Sequence, residues 1–175
     1  SLWLNGLPCL NKGYFTLLLP VSRETRGGGV AFLYKQSYKF KNTTTTSKIY
    51  KSFELANYSM NYSSRILRMV VIYRPPPSAT NSFTLSMFLN EFRQFLESLV
   101  TIPEPLLICG DFNFHLDAPE DRPAQRFSDL LDIFNLVQHV KSATHRNGHT
   151  LDLIITRSDE ASLVSIVHIT YVQIQ

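Results

Sequence analysis

Leu106-Leu107-Ile108-Cys109, bounded by Pro105 and Gly110, is an apolar run without polar alternation, and it reads as a short strand buried on both faces. That burial belongs to α/β sheets, which are covered above and below. Asp111 and Asn113 follow directly, two residues apart at the carboxyl end of the strand, where open α/β sheets place their ligands. The competing interpretation is an ordinary turn, in which Asp and Asn bond their own backbone.

A second core strand is predicted over Arg65–Tyr73, where Ile66, Leu67, Met69, Val70, Val71 and Ile72 form a near-continuous apolar run. It stops at Pro75-Pro76-Pro77, which cannot donate to a ladder, so Tyr73 falls at the same sheet edge as Asp111. Further strands are predicted over Tyr14–Leu19, Val30–Tyr34, Ile49–Leu55, Leu136–Val140, Leu151–Ile155 and Leu163–Ile174. Two amphipathic helices are expected. In Phe83–Val100 the residues Phe88, Phe92, Phe95 and Leu99 share a stripe, and after Pro123 the residues Phe127, Leu130, Leu131 and Phe134 repeat at i, i+3, i+4, i+7. The aromatic stripe is core. Asp152 stands as an acid inside an apolar strand, where an unpaired carboxylate would cost several kcal/mol, so it needs a partner.

The charge is divided unevenly. Residues 1–74 hold eleven Lys and Arg against two Glu, a balance of +9, whereas residues 75–175 hold six against twelve acids, a balance of −6. A basic half suits a phosphate backbone, and an acidic half containing Asp111 suits a divalent cation. A solvated surface of uneven charge is the plainer alternative. At 175 residues with 44% hydrophobic and 18% charged residues, the composition is that of one soluble globular domain. Apolar runs such as Phe15–Val21 fall far short of a bilayer span, no secretory signal opens the chain, and the first residue is Ser, which fits a fragment. Cys9 and Cys109 form no metal or redox pattern and are expected to be reduced intracellular thiols. Arg26-Gly27-Gly28-Gly29 lacks the Lys-Ser/Thr of a phosphate loop and precedes a strand. His145 and His149 have zinc-like spacing only if helical, and their segment reads as a turn, which suits hydrogen-bonding or phosphate-contacting roles instead.

Three segments in this order, Tyr73-Arg74-Pro75-Pro76, Gly110-Asp111-Phe112-Asn113 and His149-Thr150-Leu151-Asp152-Leu153-Ile154, resemble the endonuclease/exonuclease/phosphatase superfamily. Arg26-Gly27-Gly28-Gly29-Val30-Ala31 and the segment Ala143 to Leu153 resemble, more narrowly, the apurinic-type endonuclease domain of non-LTR (LINE) retrotransposons. The likeness runs over residues 26–172. It implies an α/β fold with a two-layered β-sandwich core flanked by helices, here incomplete. It also implies a reverse transcriptase-associated endonuclease that nicks DNA with Mg2+, or Mn2+. Carried over residue by residue, Asp111 would orient or deprotonate the attacking water and Asn113 would hold the phosphate and, with Asp111, the metal. Tyr73 would donate to a non-bridging phosphate oxygen, and Asp152 would orient the catalytic histidine. Arg74, His145, Arg146, His149 and Thr150 would contact DNA.

Departures from the family pattern shape the expectation. The family carries a metal-binding Glu in a Glu-Thr-Trp-Leu-like run, and Ser1-Leu2-Trp3-Leu4 has Ser1 in its place. Its Ser-Asp-His motif would begin about where Gln175 ends the chain, and His168 lies too early to replace that histidine. The expectation is a single domain over 1–175, lacking the first strand or strands and the C-terminal Ser-Asp-His segment, and with little nuclease activity. DNA is its expected partner, it is monomeric and nuclear, and it uses neither a membrane nor a small-molecule cofactor. A phosphoesterase acting on phosphoinositides or other small phosphoesters, and a DNA-binding remnant without chemistry, are the alternatives.

Overall fold

The computed structural model describes residues 15–18, 32–35, 38–44, 49–78, 81–145 and 147–166. Eight strands and two helices follow one another as β1 (Phe15–Leu18), β2 (Phe32–Lys35), β3 (Lys41–Asn42), β4 (Glu54–Tyr62), β5 (Arg65–Tyr73), α1 (Leu85–Leu99), β6 (Leu106–Asp111), α2 (Arg122–Ile133), β7 (Leu136–Gln138) and β8 (Asp152–Arg157). A 3-10 segment, Ser158–Ile166, comes after them. Six strands form one mixed sheet in the order β3-β4-β5-β6-β8-β7, and β1 and β2 form a separate antiparallel ladder. Only β5 and β6 pair in parallel within the large sheet, and α1 supplies the crossover that such a pair requires. The expected α/β class with flanking helices is what the described residues show, and of the expected two-layered core they show one open, mixed six-stranded sheet with a separate two-stranded ladder.

The apolar runs become central strands because both of their faces are covered. On one face Val70, Ile72, Leu106, Ile108, Leu153 and Ile155 pack against Phe88, Phe92, Phe95, Leu96 and Leu99 of α1 and Ala124, Phe127, Leu130 and Leu131 of α2. On the other, Ala56, Tyr58, Met60, Leu67, Met69, Val71, Leu107, Cys109 and Ile154 form a second cluster with Leu163. Burial pushes the Cys109 thiol up to about 12, so it stays protonated and inert. α1 is tied to the chain leading into β4 through Glu91, whose carboxylate accepts from the backbone N–H of Lys51 and Ser52 and from the Ser52 hydroxyl at 2.6 Å. Charge-assisted bonds of this kind are about twice as strong as neutral ones.

Two expectations are corrected. The strand predicted over Ile49–Leu55 begins only at Glu54 and runs on to Tyr62, because Ala56, Tyr58 and Met60 alternate inward with Asn57, Ser59 and Asn61. Tyr50 and Phe53 instead stack at 4.6 Å before the strand starts, and Phe53 meets α1. Ser63 and Ser64, at φ 46° and 64°, close the β4–β5 hairpin as a two-residue turn. The strand predicted from Leu163 is 3-10 as far as Ile166, with Leu163 filling the second cluster, and His168 and the remainder of that prediction lie outside the described residues. So do Cys9, Arg26–Gly29 and Arg146.

Candidate active site

Strand register brings the chemistry together. Tyr73 is the Cα partner of Asp111 across the parallel β5–β6 pair, and Asp111 is the partner of Asp152 across the antiparallel β6–β8 pair. Residues in one row share a sheet face, so all three lie on the face of Met69, Val71, Cys109 and Ile154, opposite the helices. Glu54 partners Tyr73 from β4 and extends the row by one more carboxylate, which the sequence reading did not single out.

Backbone geometry explains how β6 delivers Asp111 and Asn113. At Gly110 φ is +144°, and a Cβ there would sit 1.8 Å from the carbonyl oxygen of Ile72, so only glycine lets the two parallel strands close at this point. Beyond it the chain alternates: Phe112 and Phe114 are buried against Phe127, with ring centroids at 5.3 and 4.7 Å, and the intervening Asn113 adopts a left-handed φ of 51°. The Asn113 N–H donates to Asp111 Oδ1 at 3.1 Å, so the Asx turn offered as the competing interpretation is present within the candidate site itself. Both neighbours extend their ladders around it, with Arg74 N–H donating to the Asp111 carbonyl at 2.8 Å and Phe112 N–H to the Leu151 carbonyl at 3.0 Å.

The electrostatics follow from this packing. Burial, and then the neighbouring Asp152 carboxylate, push the Asp111 carboxyl up to about 7, against the opposing hydrogen bonds from Asn113 and the charge of Arg74. Burial raises Asp152 to about 6, opposed by its hydrogen bond with the Thr144 side chain. Two acids in adjacent register therefore titrate near neutrality as a pair. The partner that Asp152 needed is Thr144, whose hydroxyl oxygen also accepts from the N–H groups of Leu151 and Asp152, each at 3.0 Å. Asn113 uses Nδ2 on the Arg74 carbonyl at 2.7 Å and on Asp111, which leaves its carbonyl oxygen as the part of the amide able to meet a cation.

The residues expected to contact DNA divide. The Arg74 guanidinium is inside, only 5% of the residue being exposed, and it donates to main-chain carbonyls of the Asp111 turn. Thr150 is also buried, its hydroxyl donating to the Ser142 carbonyl and its N–H to Asp117. Both are engaged inside the protein, where burying a polar group is tolerated because its hydrogen bonds are made internally. His149 remains partly exposed, pairs through Nδ1 with Asp117 at 3.1 Å and stacks on His115 at 4.2 Å between centroids. His145 Nδ1 accepts from the Asn147 N–H at 3.2 Å. Sequence reasoning missed Thr144, Asp117 and His115, whose roles depend on two loops meeting. The one available signal was that Asp152 required a donor.

Oxygen donors dominate the site: the carboxylates of Asp111, Asp152 and Glu54 and the Tyr73 phenol in the row, with the Asn113 amide carbonyl beside it. Such a set fits a hard cation that keeps several waters and takes few protein ligands, as Mg2+ does. Among the described residues no group of three or more His, Cys, Asp and Glu is arranged to hold a metal by itself.

The open mixed sheet flanked by helices is a fold shared with solved structures. The endonuclease domain of TRAS1, a telomere-specific non-LTR retrotransposon, matches with a TM-score of 0.56 and 11% identity over 85% of this chain and 69% of that one. Humanized D. rerio TDP2 carrying 14 mutations matches at 0.53 and 12% over 83% and 62%. D. rerio TDP2 complexed with single strand DNA product matches at 0.52 and 11% over the same shares, 83% and 62%. The chain thus spans between about three fifths and seven tenths of these proteins. A search of curated proteins by sequence gave no match. In sequence, residues 1–174 match the Endonuclease/Exonuclease/phosphatase family, and the chain belongs to it.

Proposed function

We propose that this chain is the endonuclease domain of a non-LTR retrotransposon, hydrolysing a phosphodiester of target DNA in the nucleus with the help of Mg2+ or Mn2+. The observation that carries the reading is the single row of Tyr73, Asp111 and Asp152 across β5, β6 and β8. Support for the substrate comes from the retrotransposon-like segments, from the basic first half, and from the likeness of fold to the TRAS1 endonuclease domain.

In this reading Asp111 takes the proton of the attacking water, its carboxyl drawn down from near 7 by a bound cation so that it is ionised and able to act as a base at neutral pH. Tyr73 donates to a non-bridging phosphoryl oxygen as charge accumulates there. Asp111 and the Asn113 carbonyl oxygen would hold the cation, which when bound neutralises charge on the phosphoryl oxygens. His149, oriented by Asp117, and His145 lie on the flank where the DNA backbone would run. Asp152 is engaged by Thr144 rather than by a histidine among the described residues, so the 175 residues are expected to nick weakly.

Incubation with supercoiled plasmid tests this. The expected result is slow, Mg2+-dependent conversion to the open circle that EDTA stops. Hydrolysis of inositol phosphates with plasmid left intact would replace the reading by a small-phosphoester hydrolase. Salt-dependent duplex binding with no cleavage under any cation would replace it by a DNA-binding remnant.

A further inference from the structure

We propose that Arg74 is a positioning residue: its buried guanidinium clamps the Asp111–Asn113 turn from within the protein and does not touch the phosphate. What the turn does rests on the nuclease reading above, but the clamp itself rests on geometry alone.

One nitrogen, Nη1, donates to two successive carbonyls, Phe112 at 2.9 Å and Asn113 at 3.0 Å. The turn answers with Asn113 Nδ2 donating to the Arg74 carbonyl at 2.7 Å, while the Arg74 N–H donates to the Asp111 carbonyl at 2.8 Å. A single residue therefore holds three consecutive residues of the site at both its main chain and its side chain. The guanidinium lies over the Phe114 ring at 4.1 Å from the centroid and near the Phe88 ring at 5.0 Å. Its planar cation can stack on the rings while Nη1 serves two acceptors, a combination that an ammonium does not supply.

The turn needs such a clamp. Asn113 holds a left-handed φ of 51°, which Asn tolerates better than other non-glycine residues and which the clamp helps to fix. The carbonyls of Phe112 and Asn113 lie beside a buried aromatic cluster, where an acceptor without a donor is costly. A guanidinium released to reach a phosphate would leave both carbonyls unserved and uncover two rings. Arg74 follows Tyr73 and precedes Pro75, so the position that ends β5 also locks the neighbouring strand tip.

Native-state amide exchange, guanidinium NMR and salt-titrated duplex binding test the proposal on the full chain, with Arg74→Met and Arg74→Lys as variants. In the wild type the Arg74 guanidinium protons should be protected and shifted upfield by Phe114, and unchanged when a duplex oligonucleotide is bound. In Arg74→Met the Asn113 amide should exchange about tenfold faster or more relative to core amides such as Ile108, with Arg74→Lys in between, while the salt slope of binding stays that of the wild type. A role in overall stability alone would accelerate core and turn amides together, and would overturn the proposal. So would guanidinium signals that move on duplex binding, or a salt slope reduced by about one in Arg74→Met, the mark of a lost phosphate contact. If Arg74→Met does not fold, Arg74→Lys and the wild-type guanidinium signals decide. A wild-type chain that binds no duplex at any salt would overturn the nuclease reading, and amide exchange would then decide the role of Arg74.

Discussion

Gly110→Ala is expected to remove on the order of 4 kcal/mol of folding stability, enough to leave little folded protein at physiological temperature. Two independent obstacles combine at this position. With φ at +144° the backbone is in a region that L-residues rarely adopt, and the added methyl would stand 1.8 Å from Ile72 O, 2.8 Å from Ile72 C and 2.9 Å from Ile72 N. These are backbone atoms of a central strand, so no side chain can swing aside. Relief would have to separate β5 from β6 at the point where Ile72 partners Gly110, one residue before the pair that carries Tyr73 and Asp111. Urea denaturation followed by circular dichroism measures the loss. A change below about 1 kcal/mol would mean that the strands do not close on Gly110 in this way.

Asp111→Asn should act in opposite directions on stability and on chemistry. The folded-state carboxyl is raised to about 7 from an ordinary 3.8, so the folded chain holds its proton more tightly than the unfolded chain does. Stability from this group is therefore greatest below the unfolded value and falls as pH rises towards 7, because the native state binds the extra proton. Asn carries no such cost. Without divalent cation the variant should be more stable than the wild type by on the order of 2 kcal/mol above about pH 7, and the difference should fade as the pH approaches 4. The full shift would give more, but the coupling to Asp152 and the partial exposure of the site reduce it. Any Mg2+-dependent nicking should fall by about a thousandfold or more, since Asn cannot accept the water proton. Thermal unfolding at several pH values in chelator, beside plasmid nicking, provides both readings. Equal stability of the two proteins at alkaline pH would show that Asp111 is not raised by burial.

Much of the fold was legible because its strongest periodic signals coincide with its most buried elements. β5 and β6 lack polar alternation and are central, and the Phe88, Phe92, Phe95 and Leu99 stripe became the buried face of α1. β4 was harder to read. Its inward residues are Ala56, Tyr58 and Met60, separated by Asn and Ser, so the apolar signal is broken at every second position, and the strand expected over Ile49–Leu55 gives way at its start to the stacking of Tyr50 on Phe53.

The site was legible in part for a related reason. Asp111, Asn113 and Tyr73 lie at strand ends and were placed at one sheet edge on that ground, whereas Asp152 joined them only through the family resemblance, because the β6–β8 register that sets it beside Asp111 is not visible in the sequence. The roles of Arg74 and Thr150 could not be read in that way. Both depend on which side of the sheet edge a side chain turns to, which is decided by the aromatic cluster under Phe112 and Phe114 and by the meeting of the Asp117 loop with the Thr144–Thr150 loop. The family resemblance implied a phosphate contact at Arg74, and the structure bonds its guanidinium to the Phe112 and Asn113 carbonyls.

The central claim is that Tyr73, Asp111 with Asn113, and Asp152 form one cation and phosphate site at adjoining strand tips. Carboxyl-carbon NMR of the full chain, titrated with millimolar Mg2+ near neutral pH, tests it most directly. Asp111 and Asp152 should respond together along one binding curve, with the Asp111 deprotonation midpoint falling from near 7 as the cation competes with the proton. Carboxyl signals of Asp111 and Asp152 that ignore Mg2+, or that move independently and no more than those of Asp129 and Asp132 on α2, would contradict the account.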